Sequence, residues 1–185
     1  EPHRYESLSN EVRALCEDTE HNLWVGLKDG KIRIYDKNRT ELGYFTETGT
    51  ISHTGVPLKG NTYCIFQDSK HNIWIATKGE GLVKARPQGG GHYKLTRYCH
   101  SRDDIYSLSD NNVYCVYEDV KGRIWVATFG GGINYLTHNR GGREIFVNHR
   151  NNLKGFPIDN CHKVRFVTGD HRGNIWIATT VGALM

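Results

Sequence analysis

The residues able to do chemistry in this chain are few in kind: regularly placed aspartates, ten histidines, five cysteines and runs of glycine. Asp18, Asp68, Asp119 and Asp170 would serve as general acids and bases if two of them converged. They recur one per repeating phrase, so each is expected to accept backbone N–H bonds in a turn instead. In Asp119-Val-Lys-Gly122 and Asp170-His-Arg-Gly173 a glycine supplies the left-handed φ that such a turn needs. His21 and His71 take that place in the first two repeats, and histidine tolerates positive φ better than most residues. Both therefore read as turn residues, not catalysts.

Cys64 and Cys115 fall at one repeat position inside apolar stretches, with Cys16 nearby in its own, and read as small buried hydrophobes. Cys99-His100 and Cys161-His162 suggest metal binding by residue type. They are not repeat-equivalent and lack CxxC or HxxxH spacing, so no zinc and no other cofactor is expected. The glycine runs at Gly79 and Gly81, and at Gly130-Gly131-Gly132, suggest a phosphate cradle. No Gly-Lys-Ser/Thr follows them and no helix is predicted to start there, so they read as tight connections between strands.

The elements that hold these residues announce themselves through tryptophan. Trp24, Trp74, Trp125 and Trp176 stand 50, 51 and 51 residues apart, each six residues after its aspartate. Around each one the phrase repeats: Leu23-Trp-Val-Gly, Ile73-Trp-Ile-Ala, Ile124-Trp-Val-Ala and Ile175-Trp-Ile-Ala. An apolar stretch precedes each phrase and two further stretches follow, all short, β-branched or aromatic, and bounded by Gly, Asn and Asp. Runs that are apolar on consecutive residues belong to strands covered on both faces. Four antiparallel strands recurring about every 50 residues make the blades of an all-β propeller. The four tryptophans are expected to lie buried between neighbouring blades, each with one N–H in need of a partner.

Composition narrows function more weakly. The 185 residues carry 24 Lys and Arg against 20 Asp and Glu, a net charge of +4 without a basic block. Neither nucleic acid nor a membrane surface is an expected partner of this segment. The opening Glu-Pro-His-Arg lacks a signal peptide's apolar stretch, so the chain reads as a mature or excised piece.

The phrase from Glu118 to Ile133, with Asp68 to Leu82, Asp170 to Leu184 and, less cleanly, Asp18 to Ile32, resembles the two-component regulator propeller repeat. Ser107-Leu-Ser-Asp-Asn-Asn-Val113, echoed by Ser7-Leu-Ser-Asn-Glu-Val12, is similar to that family's lead into a blade. The first repeat departs at Leu27, where the others have threonine, and at Asp29. The resemblance implies a periplasmic sensor segment of a hybrid histidine kinase of Bacteroidetes, whose whole molecule dimerises and detects glycan fragments. It implies no catalysis in the segment itself, since the kinase would lie elsewhere. It also implies tandem propellers of about seven blades.

Blades are expected over about 10–50, 60–100, 111–150 and 160–185, with residues 1–5 an outer strand of a preceding or closing blade. Two arrangements follow. Residues 1–5 complete the last blade and latch a four-bladed ring, or the chain is an arc of a larger ring, which the resemblance favours. Loops leading into the first strand and loops leaving the tryptophan strand should share one face. On that face Tyr106, Asn111, Asn112, Lys78, Glu80, Phe129 and Asn160 are the candidate ligand residues, with the aromatics stacking on a sugar ring and the polar groups bonding its hydroxyls. Two other readings compete: a propeller that only supplies a protein-interaction or dimer surface, and a propeller lyase or hydrolase.

Overall fold

The computed structural model describes residues 11–185, so the expected role of residues 1–5 lies outside the described residues. Each repeat folds as an antiparallel meander in chain order. The first sheet runs β1 (Val12–Glu17), β2 (Leu23–Leu27), β3 (Ile32–Tyr35), β4 (Glu41–Phe45) and β5 (Ile51–Ser52). The second runs β6 (Asn61–Gln67), β7 (Ile73–Lys78), β8 (Leu82–Gly89) and β9 (His92–Tyr98). The third runs β10 (Val113–Glu118), β11 (Ile124–Thr128), β12 (Gly132–His138) and β13 (Glu144–Val147). A single turn of helix, α1 (Ile158–Cys161), then leads into β14 (Val164–Gly169), β15 (Ile175–Thr179) and β16 (Gly182–Leu184). The four sheets are the blades of a propeller.

Two details differ from the four-stranded expectation. The first blade gains a fifth strand because the threonine-lined turn at Thr46, Thr48 and Thr50 folds the chain back onto β4. The fourth blade has three strands among the described residues.

The turn before each tryptophan strand shows why the aspartate recurs. One oxygen of Asp68 accepts the backbone N–H groups of Lys70 at 3.0 Å and Asn72 at 2.8 Å, closing the turn. Its other oxygen accepts the indole Nε1–H of Trp74 at 2.8 Å and the Asn72 side chain at 2.8 Å. Asp18 and Asp119 hold Trp24 and Trp125 in the same way, both at 2.8 Å, and Asp170 holds Trp176 at 3.1 Å. The fourth position of the turn has φ of 62° at His21, 64° at His71, 73° at Gly122 and 83° at Gly173. The histidines are turn residues, as their position requires.

Three of the four indoles pack forward onto the next blade. Trp24 shares one buried cluster with Ile65, Ile73, Ile75 and Val83 of the second blade, and the Tyr93 ring lies edge-on to it at 5.5 Å. Trp74 sits among Val113, Val116 and Val126 of the third. Trp125 packs with Val164, Val167 and Ile177 of the fourth. A polar brace supports the second of these junctions: Glu144 on β13 accepts Lys84 at 2.7 Å and also the Tyr98 hydroxyl. Burial pushes the Tyr98 phenol well above its usual range, and its bond to Glu144 pushes it further.

The fourth tryptophan corrects the sequence-based expectation. Trp24, Trp74 and Trp125 are at most 8% exposed, whereas Trp176 is 42% exposed and Phe166 beside it 54%. No following blade among the described residues covers them, so the indole keeps its aspartate but lacks its wedge.

Asp68→Asn should cost about 3 kcal/mol, because an amide N–H would face the Trp74 N–H inside the junction. Asp170→Asn should cost less, since Trp176 already meets water. Urea unfolding followed by tryptophan fluorescence checks both, and equal losses would refute the burial argument. Burial raises the Asp119 carboxyl, but hydrogen bonds from Trp125, Arg123 and Lys121 outweigh it and hold the group below its ordinary value. Bonds from Asn174 and Trp176 lower Asp170 to about 2. Stability from these depressed carboxyls is full above the ordinary value of 3.8 and is lost as pH falls through the folded values. Melting curves between pH 2 and 6 should therefore drop on the acid side, and the drop should shrink in Asp119→Asn. Because β-substituted residues pay for positive φ, His71→Gly should raise stability by about 0.5 kcal/mol in the same urea assay.

Candidate ligand face on the converging strands

The first strands of the blades, β1, β6, β10 and β14, are sheet edges that pack successively against one another. Each carries an irregularity at the same place. Pairing with the tryptophan strand slips between Val12 and Ala14, Thr62 and Cys64, Val113 and Cys115, and Val164 and Phe166. A bulge turns one side chain out of the ladder and re-aims it. The residues so released are Arg13, Tyr63, Tyr114 and Arg165.

Their side chains meet across the blade boundaries. The Arg13 guanidinium lies 5.0 Å over the Tyr63 ring and donates to its hydroxyl at 2.6 Å. The Tyr63 and Tyr114 rings are 4.5 Å apart at 35°, and Tyr114 stacks on Phe129 at 4.8 Å and 22°. Beyond Phe129 stand Arg165 at 5.0 Å and Lys163 at 5.6 Å from its ring. The outcome is a continuous row: arginine, three stacked rings, then arginine and lysine. Each aromatic pair contributes about 0.5–1.5 kcal/mol beyond burial, and each exposed cation over a ring about 0.5–1 kcal/mol. Burial, then the neighbouring Tyr63, pushes the Tyr114 phenol up.

The loops that lead into first strands and those that leave tryptophan strands do share this face. Asn111 accepts the N–H groups of Gly79 and Gly81 at 3.1 and 3.0 Å, which sets the Lys78–Glu80 turn beside it. The Phe129 N–H bonds the Asn112 carbonyl at 2.8 Å, and Gly130 and Gly132 bond His162 at 3.0 and 2.9 Å. Gly131 must be glycine here, because a Cβ would collide with Ser109. Thr77, Thr128 and Thr179 close their turns by donating to Gly81, Gly132 and Gly182 at 2.7, 2.8 and 2.8 Å.

The seven sequence-predicted residues fare unequally. Phe129 stands in the aromatic row. Asn111 and Asn112 flank it, but their side chains are engaged: Asn111 accepts the His100 N–H at 2.7 Å and Asn112 donates to Asp110 at 2.9 Å. Lys78 and Glu80 line a shallow hollow between the first two blades with Asp29, Lys59 and Asn61, and Lys59 pairs with Glu80 at 3.0 Å. Asn160 is exposed on α1. Tyr106 does not join them. Its carbonyl accepts the Phe146 N–H at 2.9 Å, which holds it at the outer strand β13, away from the converging edges. Arg13, Tyr63, Tyr114, Lys163 and Arg165 were missed. Their signal was available: the four bulge residues hold one position before each tryptophan, yet their types differ where the scaffold repeats. Among the described residues no three His, Cys, Asp or Glu side chains gather as a metal site.

A family model described as two component regulator propeller matches residues 6–29, 57–79 and 107–130. These three repeats belong to that family. The fourth repeat, outside these matches, keeps the aspartate–indole bond of the other three in Asp170 and Trp176. Histidine kinase P4 of Formosa agariphila is 30% identical over 71 residues, which is 38% of this chain and 5% of the kinase. The extracellular domain of a protein assigned as a hybrid two component system from B. thetaiotaomicron is 25% identical with a TM-score of 0.67. That likeness covers 98% of this chain and 23% of the other. A streptogramin B lyase is 17% identical with a TM-score of 0.63, over 96% of this chain and 54% of its own, a likeness of fold alone. The chain thus spans well under two thirds of the proteins it matches.

Tyr114→Leu removes the central ring and both of its stacking partners, and should cost about 1–3 kcal/mol. Phe129→Leu, at the end of the row, should cost about half as much. Guanidinium chloride unfolding of both variants checks the order; a reversed order would show that the rings are not a coupled stack.

Proposed function

We propose that this regulator propeller is a non-catalytic recognition segment in the extracytoplasmic part of a hybrid two-component sensor, and that its ligand is an oligosaccharide. The repeats and the likeness to an extracellular two-component domain support the sensor setting. The observation that carries a recognition role is the row from Arg13 to Arg165. A scaffold residue should repeat with the blade, whereas here repeat-equivalent bulges present Arg, Tyr, Tyr and Arg to one shared surface. Phenol hydroxyls and amide-rich loops offer the donors and acceptors that sugar hydroxyls need. Ligand occupancy would reach the kinase through the rest of the sensor and its dimer. No helix among the described residues is long and apolar enough to cross a membrane.

Calorimetric titration with a panel of neutral and acidic oligosaccharides tests the reading. Saturable binding of at least one member is expected, without bond cleavage in the recovered sugar. A panel that gives no heat would leave a scaffold role instead, and a cleaved product would leave an enzyme.

A further inference from the structure

The charges around the aromatic row are unevenly matched. At its near end, Glu11 pairs with Lys28 at 2.9 Å and with Arg13 at 3.3 Å, so one carboxylate answers two cations. At its far end, Lys163 and Arg165 both flank the Phe129 ring, and neither makes an ion pair among the described residues. Both are exposed. On the loop leading into β10, Asp110 has its Oδ1 taken by the backbone and side chain of Asn112 at 2.7 and 2.9 Å. Elsewhere on the molecule cations are matched: Lys84 with Glu144 at 2.7 Å and Arg97 with Glu47 at 3.3 Å across blades, and Arg33 with Glu41 at 3.3 Å within the first.

Two like charges side by side repel, and that arrangement is stable only at the cost of some attraction elsewhere. The Phe129 ring supplies part of it through its negative face, and it also fixes where the two cations stand. A guanidinium held on a ring face keeps its outer N–H edge free, in a fork that matches the two oxygens of a carboxylate or a sulfate. Lys163 adds a point charge on the same side.

We infer that Arg165 and Lys163, positioned by Phe129, form an anion-binding subsite, and that the sensor's oligosaccharide is an acidic one carrying uronate or sulfate groups. This rests on the oligosaccharide reading above. The ligand's anionic group seats on the Arg165 fork, while its sugar ring runs along the edges and hydroxyls of Tyr114 and Tyr63 toward Arg13. The stack explains why the row is one continuous surface and not two isolated charges.

The test is calorimetry with three tetrasaccharides of matched length, one neutral, one uronate-containing and one sulfated, at low and high salt. At least one acidic sugar should bind about tenfold or more tightly than the neutral one and weaken as salt rises. Arg165→Gln should lose about tenfold in that affinity and flatten its salt dependence, with Arg165→Lys retaining part of it. Lys163→Gln should lose less, and Lys121→Gln, an exposed cation in a distant turn, should change nothing. The relative strength of the two acidic arms identifies which anion the fork prefers. If the neutral sugar binds equally well, or Arg165→Gln binds the acidic sugar unchanged, the subsite is refuted while oligosaccharide recognition stands. If none of the three binds, and the wider panel also gives no heat, both readings fall together. Far-ultraviolet circular dichroism and urea midpoints confirm that the surface variants remain folded.

Discussion

A single hydrogen bond, from a tryptophan indole to an aspartate six residues upstream, sets the geometry of every blade. Without it the indole would carry an unpartnered N–H into an apolar junction, at a cost of about 1–3 kcal/mol. The same carboxylate closes the turn that launches the tryptophan strand, so local chain reversal and long-range packing share one group. In Asp68 that means backbone amides on one oxygen and Trp74 with Asn72 on the other. Because turn and wedge are locked together, each blade leaves its turn at a fixed angle and presents its apolar face to the next. Repetition of that unit suffices to build the arc.

The arrangement separates stability from recognition. The first three tryptophan strands are buried on both faces, and the sequence of the tryptophan strand repeats closely in all four blades: Ile75, Val126 and Ile177 occupy one position, Ala76, Ala127 and Ala178 the next. First strands have one edge without a ladder partner, and a bulge there costs little pairing. Side chains released at those bulges lie outside the buried tryptophan clusters, and their types differ from blade to blade. The aromatic row therefore lies where the residue types differ from blade to blade, outside the repeated tryptophan strands.

Thiols and glycines fit the same division. Cys115 is buried at the junction of the third and fourth blades, its Sγ 3.6 Å from the Val167 carbonyl, a packing position with no nearby base. The glycine run at 130–132 lets the loop after the third tryptophan strand press against Ser109 and bond back to His162, which holds Phe129 in the row. What resembled a phosphate loop in sequence is a spacer that brings a ring into register.

Residue types and period determined the propeller, the placement of the strands, the turn role of His21 and His71, and the aspartate in each turn. These are properties of short segments and of their repetition, where local propensity and tertiary packing agree. The partner of the indole was not legible, because the need for an acceptor does not say which acceptor is aimed at it. Exposure of Trp176 depended on whether a neighbour covers it, which no repeat encodes about itself. Phe129 could be singled out as an aromatic in a loop, but the ring stack beside it and the cations beyond it depend on bulges that rotate equivalent residues of four strands onto one surface. Distance along the chain hides such contacts, since residues about 50 apart touch only after the blades have packed. Tyr106 failed for the converse reason: its place near the start of a blade suggested the converging edges, but backbone pairing with Phe146 fastened it to the outer rim.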